Sequence, residues 1–181
     1  LLAWLDNNAG AAATDNCSGV TWSNDFTTMA ASCGGSGAVQ VVFTATDDAG
    51  NQTSTAAIFT IVDTTAPTLT AAAQDTTTEC DGSGNAAELA AWLANNGGAS
   101  ASETCSGVTW SHNYGNGASL SNLCGATGTV TVTFTAEDAC GNNVTTNGTF
   151  TITDTTNPTA VAKDYTVTLD ANGVGIMTAS D

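Results

Sequence analysis

From Thr129 to Ala136 the chain alternates apolar and threonine positions without a break. Val130, Val132, Phe134 and Ala136 fall on one face of an extended segment, and Thr129, Thr131, Thr133 and Thr135 on the other. A period of two over β-branched and aromatic residues predicts a β-strand with one buried face. The run passes into Glu137-Asp138-Ala139-Cys140-Gly141-Asn142, where acidic, Gly and Asn residues supply turn chemistry. A second alternating run follows with Phe150 and Ile152 on one face, so the two runs predict a hairpin. The same hairpin occurs earlier, with Val39, Val41, Phe43 and Ala45, then Asp47-Asp48-Ala49-Gly50-Asn51, then Phe59 and Ile61.

The repetition extends beyond the hairpins. Trp4 matches Trp92, and Cys17-Ser18-Gly19-Val20-Thr21-Trp22 matches Cys105-Ser106-Gly107-Val108-Thr109-Trp110, 88 positions on. After a small insertion the offset becomes 91, matching Cys33 with Cys124, Phe43 with Phe134 and Pro67 with Pro158. A period of about 90 residues suits one small β-sandwich. In the second copy Asn85 reads as a helix N-cap with Glu88 as its capping-box partner. Leu89, Trp92 and Leu93 follow at helical spacing, and Gly97-Gly98 stops the helix. Residues 1–8 read as the remnant of the same helix, with Trp4 and Trp92 as core residues. Strands are expected over 20–26 and 108–114, with Trp22 and Trp110 buried, and a loop between Tyr114 and Cys124.

Each copy ends in a linker, Asp63-Thr64-Thr65-Ala66-Pro67 or Asp154-Thr155-Thr156-Asn157-Pro158, where proline cannot continue a ladder. A third unit follows, with a strand over 160–170, a turn at 171–173 and a second run over 174–181. The expected organisation is all-β: tandem sandwiches, each with one short inserted helix. Residues 1–67 form a repeat lacking its first strands, 68–158 a complete repeat, and 159–181 the opening strands of a third. The chain opens inside a helix-like pattern with no signal peptide ahead of it, which reads as a piece of something longer or processed.

Six cysteines without a C-x-x-C pair, and one histidine without a partner at ligand spacing, point to disulfides rather than metal. The repeat narrows the pairing. Cys17 with Cys33 and Cys105 with Cys124 are expected as matching local bridges, and Cys80 with Cys140 as a bridge of the second copy alone. Cores rich in Ala and Thr make such bridges important to folding.

Charge then removes whole classes of function. With 17 acidic residues, one Lys, no Arg and a net charge of −16, no basic patch is possible. Charge-driven binding to nucleic acid or anionic membrane is therefore excluded. No apolar run reaches the roughly 20 residues of a spanning helix. The composition is that of a chain living outside cells.

The pattern Val-x-Val-x-Phe-Thr-Ala-x-Asp-x-x-Gly-Asn, then Phe-Thr-Ile-x-Asp-Thr-Thr-x-Pro, resembles the closing half of a hyalin repeat or related bacterial Ig-like domain. It stands at 38–68 and again from 129. The third unit, Tyr165-Thr166-Val167-Thr168-Leu169-Asp170-Ala171-Asn172-Gly173, is similar to the opening strand and turn of such repeats in large bacterial surface proteins. Residues 80–124, with their helix and cysteines, depart from the usual hyalin repeat. The resemblance implies Ig-like folds in tandem arrays, an extracellular location, an adhesive or structural role, and no enzymatic activity.

Calcium is the sharpest site expectation, since Ca²⁺ takes six to eight oxygen ligands. Acids gather where hairpin turn meets linker: Asp47, Asp48 and Asp63 in the first copy, Glu137, Asp138 and Asp154 in the second. The competing reading is that these side chains cap backbone N–H groups. Carboxylate pairs without pocket-forming sequence do not make an acid–base couple. His112 and Ser111 are adjacent on a strand and so point to opposite faces. Lys163 reads as solvated rather than as one half of an isopeptide. The Asp-Thr-Thr triplets offer Thr64, Thr76 and Thr155 for O-glycosylation, and Asn51, Asn143 and Asn147 stand in Asn-x-Thr patterns.

The function expected is that of a stalk, adhesin or filament segment whose partners are other repeats or copies of itself, head to tail. Because the first copy lacks opening strands and 160–170 is such a strand, one copy's tail could complete the next by strand addition. The alternative is a carbohydrate-binding module using exposed Trp22, Trp110 or Tyr114, with surface glycans as partners.

Overall fold

A computed structural model of the chain describes residues 1–121 and 126–175. Its elements in order are helix α1 (Leu2–Asp6), strands β1 (Val20–Asn24), β2 (Ala30–Ala31), β3 (Gly37–Asp47), β4 (Gln52–Ile61), β5 (Thr68–Ala71) and β6 (Thr76–Glu79), and helix α2 (Ala86–Ala94). Strands β7 (Ser100–Ser102), β8 (Thr109–His112), β9 (Gly128–Glu137) and β10 (Asn143–Thr153) complete it. The chain is β-rich with little helix.

Both predicted hairpins form. β3 and β4 pair antiparallel with Phe43 opposite Thr55, and β9 and β10 with Phe134 opposite Thr146. The period of two decides which face is buried. Val130, Val132, Phe134 and Ala136 are buried, as are Val41, Phe43 and Ala45. On the outer face threonines hydrogen-bond across the hairpin, Thr129 with Thr151 at 3.3 Å and Thr131 with Thr149 at 3.2 Å. β1 lies antiparallel to β3, and β8 occupies the matching place beside β9.

Each copy has its own apolar cluster, built around the same three rings. Trp92 meets Phe134 edge-on at 5.2 Å and Phe150 at 5.6 Å. Trp4 meets Phe43 edge-on at 5.3 Å and Phe59 at 5.4 Å. The helix serves to deliver this tryptophan, with Leu89 and Leu93 buried beside Trp92 and Leu5 beside Trp4. After α2 the chain turns sharply at Gly97, φ +64°, where a Cβ would stand 2.9 Å from the Phe134 ring. Glycine is required there by both the left-handed backbone and the close approach of the ring.

The expected capping box does not form. Asn85 precedes α2 in the left-handed region, φ 51°, and makes no side-chain cap. Its side chain turns back instead: Nδ2 donates to the Glu79 carbonyl at 2.9 Å, and Oδ1 accepts from the Asp81 N–H at 3.2 Å. Asn85 is fully buried. It pins the start of the helix to the end of β6, a tertiary demand that outweighs the local capping pattern.

The copies differ at one edge. β10 carries β6 on its outer side, paired in parallel from Phe150–Thr76 to Thr153–Glu79. The matching edge of β4 has no strand partner among the described residues. The consequence shows in exposure: Ile152 is 2% exposed, whereas its counterpart Ile61 is 41% exposed.

In the third unit the expected turn forms and the expected strand does not. Residues 159–170 belong to no strand, with Val161 and Leu169 exposed. A strand needs a neighbour to take its backbone hydrogen bonds, so alternation alone does not make one. The run expected over 174–181 lies largely outside the described residues.

Candidate functional site: the joint between the repeats

The turn after β3 begins at Asp47 and the turn after β9 at Asp138, and the two are superimposable in their bonding. In the first, Asp47 Oδ1 accepts from the N–H of Ala49 at 2.9 Å and of Asn51 at 2.8 Å, and Asn51 Nδ2 donates to Oδ2 at 2.8 Å. In the second, Asp138 Oδ1 accepts from Cys140 and Asn142, and Asn142 Nδ2 donates to Oδ2 at 2.8 Å. The third copy, at Asp170, makes the same two backbone bonds with Asn172 and Val174. An Asp that caps its own turn, with Gly at the left-handed position, explains the Asp-x-x-Gly spacing.

Two further bonds bring the turn of the second copy against the first copy. Asn142 Nδ2 also donates to the Asp63 carbonyl at 3.2 Å. Cys140 is disulfide-bonded to Cys33, 107 residues earlier, with Cα atoms 5.0 Å apart. Cys33 begins a short 3₁₀ turn, Cys33–Gly35, closed by Ser36, whose hydroxyl donates to the Cys33 carbonyl at 2.6 Å. Asp138, at the base of the joint, is 4% exposed.

This bridge corrects the expected pairing. Cys33 does not bond Cys17, and Cys140 does not bond Cys80. Cys17 and Cys105 are exposed thiols, and the expected partner of Cys105, Cys124, lies outside the described residues. Matching cysteines between copies assumes that each copy closes its own bridges. The fold instead sets the turn between β2 and β3 of the first copy against the hairpin turn between β9 and β10 of the second, a contact that internal alignment cannot reveal.

The six acids expected to hold calcium do not converge. Asp47 and Asp138 use both carboxylate oxygens on their own turns. Asp154 caps the Thr156 N–H at 3.0 Å, and Asp63 the Thr65 N–H at 3.1 Å. Asp48 and Glu137 are exposed side chains on the separate hairpins. Among the described residues no three acidic, His or Cys side chains stand together. Asp63 Oδ2 is the one oxygen of the set that is buried without a hydrogen-bond partner among the described residues.

Of the triplet threonines, Thr64 is exposed and Thr76 is half-buried in β6. Thr155 is engaged, its N–H donating to Glu79 Oε1 at 2.8 Å and its hydroxyl to Oε2 at 2.9 Å. Trp22, Trp110 and Tyr114 are half-buried and pack against the two cores. A pocket of about 180 Å³ lies at the outer end of the first copy, lined by Ala13, Asp15, Val20, Asp47 and Asn51. A second depression of about 470 Å³ adjoins it, lined by Asp15, Cys17, Asp47, Asp48 and Ala49.

The capped turns tie stability to pH. The Asn51 side chain, then backbone N–H groups, hold the Asp47 carboxyl below its ordinary range. For Asp138 burial pushes upward, but the Asn142 side chain and the Asn142 and Cys140 N–H groups outweigh it, and the net shift is downward. Thr155 and Thr156 lower Glu79 in the same way. A folded state that binds fewer protons than the unfolded one is at full stability above about pH 5 and loses it as pH falls through 4 and below. Thermal unfolding at pH 7, 5 and 3 should show little change over the first step and a fall over the second. Asp138→Asn should flatten the second step, and an unchanged profile would remove these turns from the account.

No protein-family model matches the chain, and a search of curated proteins finds no relative.

Proposed function

We propose that this chain is a segment of an extracellular array of Ig-like repeats, serving as a stalk, adhesin or filament subunit, with no reaction to catalyse. The observation that carries the reading is the joint. Two copies of one unit are stapled by Cys33–Cys140, hydrogen-bonded through Asn142 and Asp63, and separated by a short Pro-containing linker. A bridge between repeats has a mechanical consequence: tension applied across the pair passes through a covalent bond rather than through the sheets between. A disulfide fits an oxidising compartment outside the cytosol, and the net charge of −16 keeps neighbouring arrays apart.

The open edge of β4 supports head-to-tail joining. Phe59 and Ile61 occupy the places of Phe150 and Ile152, which β6 covers in the second copy. By the same repeat offset, residues 167–170 correspond to β6, and they belong to no sheet. A second copy's Val167–Thr168–Leu169–Asp170 run, added in parallel to β4, would pair with that edge and place Leu169 near the exposed isoleucines.

Light scattering over a concentration series tests this joining. The 181-residue chain should form oligomers that grow with concentration, and deletion of 160–181 should leave monomers. Monomers at every concentration, or oligomers unchanged by the deletion, would count against strand donation.

A further inference from the structure

We propose that Cys140 is the shared sulfur of a thiol–disulfide relay, in which Cys105 displaces Cys33 and converts the bridge between repeats into a bridge within the second repeat. This does not rest on the head-to-tail reading above.

Three sulfur-bearing residues meet at the joint. Cys33 and Cys140 are bonded, and Cys105 is an exposed thiol. The point where a Cβ on Gly34 would sit is 3.4 Å from Cys140 Sγ and 3.6 Å from Cys105 Cβ. Cys105 and Cys140 therefore both approach residue 34, which has no side chain, and the buried Asp63 Oδ2 lies at the same point, 2.9 Å from it.

The loop bearing Cys105 is fixed on the turn bearing Cys140. Ser106 Oγ accepts from the Ala139 N–H at 3.2 Å, one residue along from each cysteine. The first copy shows that this contact does not depend on the bridge. There Ser18 Oγ accepts from the Asp48 N–H at 3.3 Å, with Cys17 beside Ala49, a residue that has no sulfur to bond. Loop and turn dock in both copies, bridged or not, so Cys105 stays beside Cys140 after Cys33 has left.

The exchange balances without any outside oxidant. Cys105 loses its proton to solvent, and the thiolate attacks Cys140 Sγ in line with the Cys140–Cys33 bond. The bond between the sulfurs of 105 and 140 forms as that between 140 and 33 breaks. The electron pair leaves on the sulfur of Cys33, which takes up a proton. The number of disulfides is unchanged, but the covalent tie between repeats is gone. The linker, the Asn142–Asp63 hydrogen bond and other non-covalent contacts at Gly34 and Ser36 then hold the joint. The relay thus sets whether the two repeats are stapled or hinged.

Disulfide mapping of the intact chain tests the relay. The protein is held at low micromolar concentration in a glutathione redox buffer, quenched in acid and alkylated. Digestion uses pepsin, because Lys163 is the only site for trypsin. Two linkage isomers are expected: Cys33–Cys140 with Cys105 alkylated, and Cys105–Cys140 with Cys33 alkylated. Cys17 should be alkylated in both, as the thiol that faces Ala49. The variant Cys105→Ser should retain only the first isomer. A single linkage of Cys140 in every molecule of the unaltered chain, whichever of the two it is, overturns the proposal.

Discussion

Replacing Phe134 by alanine should cost the second repeat about 3–5 kcal/mol, the range for truncating a buried aromatic residue. Phe134 is 0% exposed and stands at the centre of the cluster. Trp92 meets it edge-on at 5.2 Å, and His112 packs edge-on from β8 at 6.1 Å. Gly97 lies against the ring with no room for even a methyl group. Backbone and tryptophan therefore surround the ring closely, and rigid surroundings cannot collapse to fill the cavity left behind. In a unit of this size each kcal/mol is worth about 4–8 °C, so the melting temperature should fall by roughly 12–40 °C. Thermal unfolding followed by tryptophan fluorescence measures it. Thr131→Ala, on the solvent face of the same strand, should shift the midpoint by only a few degrees. A loss for Phe134→Ala no larger than that control would mean that the three-ring cluster is not what holds the unit together.

Asn85→Ala should be the next most damaging change, at about 2–4 kcal/mol. Three costs combine. The Glu79 carbonyl loses its donor and the Asp81 N–H its acceptor, each in a part-buried setting. Alanine must also adopt a φ of 51°, which asparagine tolerates better. Asn85→Gly separates the two contributions, since it removes the side-chain bonds and relieves the backbone. Urea denaturation should rank the unaltered chain above Asn85→Gly and the glycine variant above Asn85→Ala. Equal stability of the two variants would show that backbone conformation plays no part. The prediction also reaches the core, because Asn85 sets where α2 begins and so where Trp92 arrives.

The sequence by itself determined the hairpins, the period and the buried faces. Those are local quantities: side chains alternate across a strand, so the spacing of Val130, Val132, Phe134 and Ala136 fixes which atoms leave water. The Asp-x-x-Gly turns were legible for the same reason, since an Asp two and four residues ahead of its N–H partners needs nothing from elsewhere in the chain. The three-ring cluster was half legible: the repeat matched Trp4 with Trp92, but not the ring each tryptophan would meet.

Only the tertiary structure decided the bridge from Cys33 to Cys140, the backward turn of Asn85, and the failure of 159–170 to become a strand. Each depends on a partner distant in sequence, whose position is set by how whole elements pack. A disulfide needs two Cα atoms within a few ångströms, and the sequence carries no measure of that distance when the partners lie in different repeats. A strand likewise needs a second edge to receive its backbone hydrogen bonds. Alternation announces which segments are ready to pair, and packing alone supplies what they pair with.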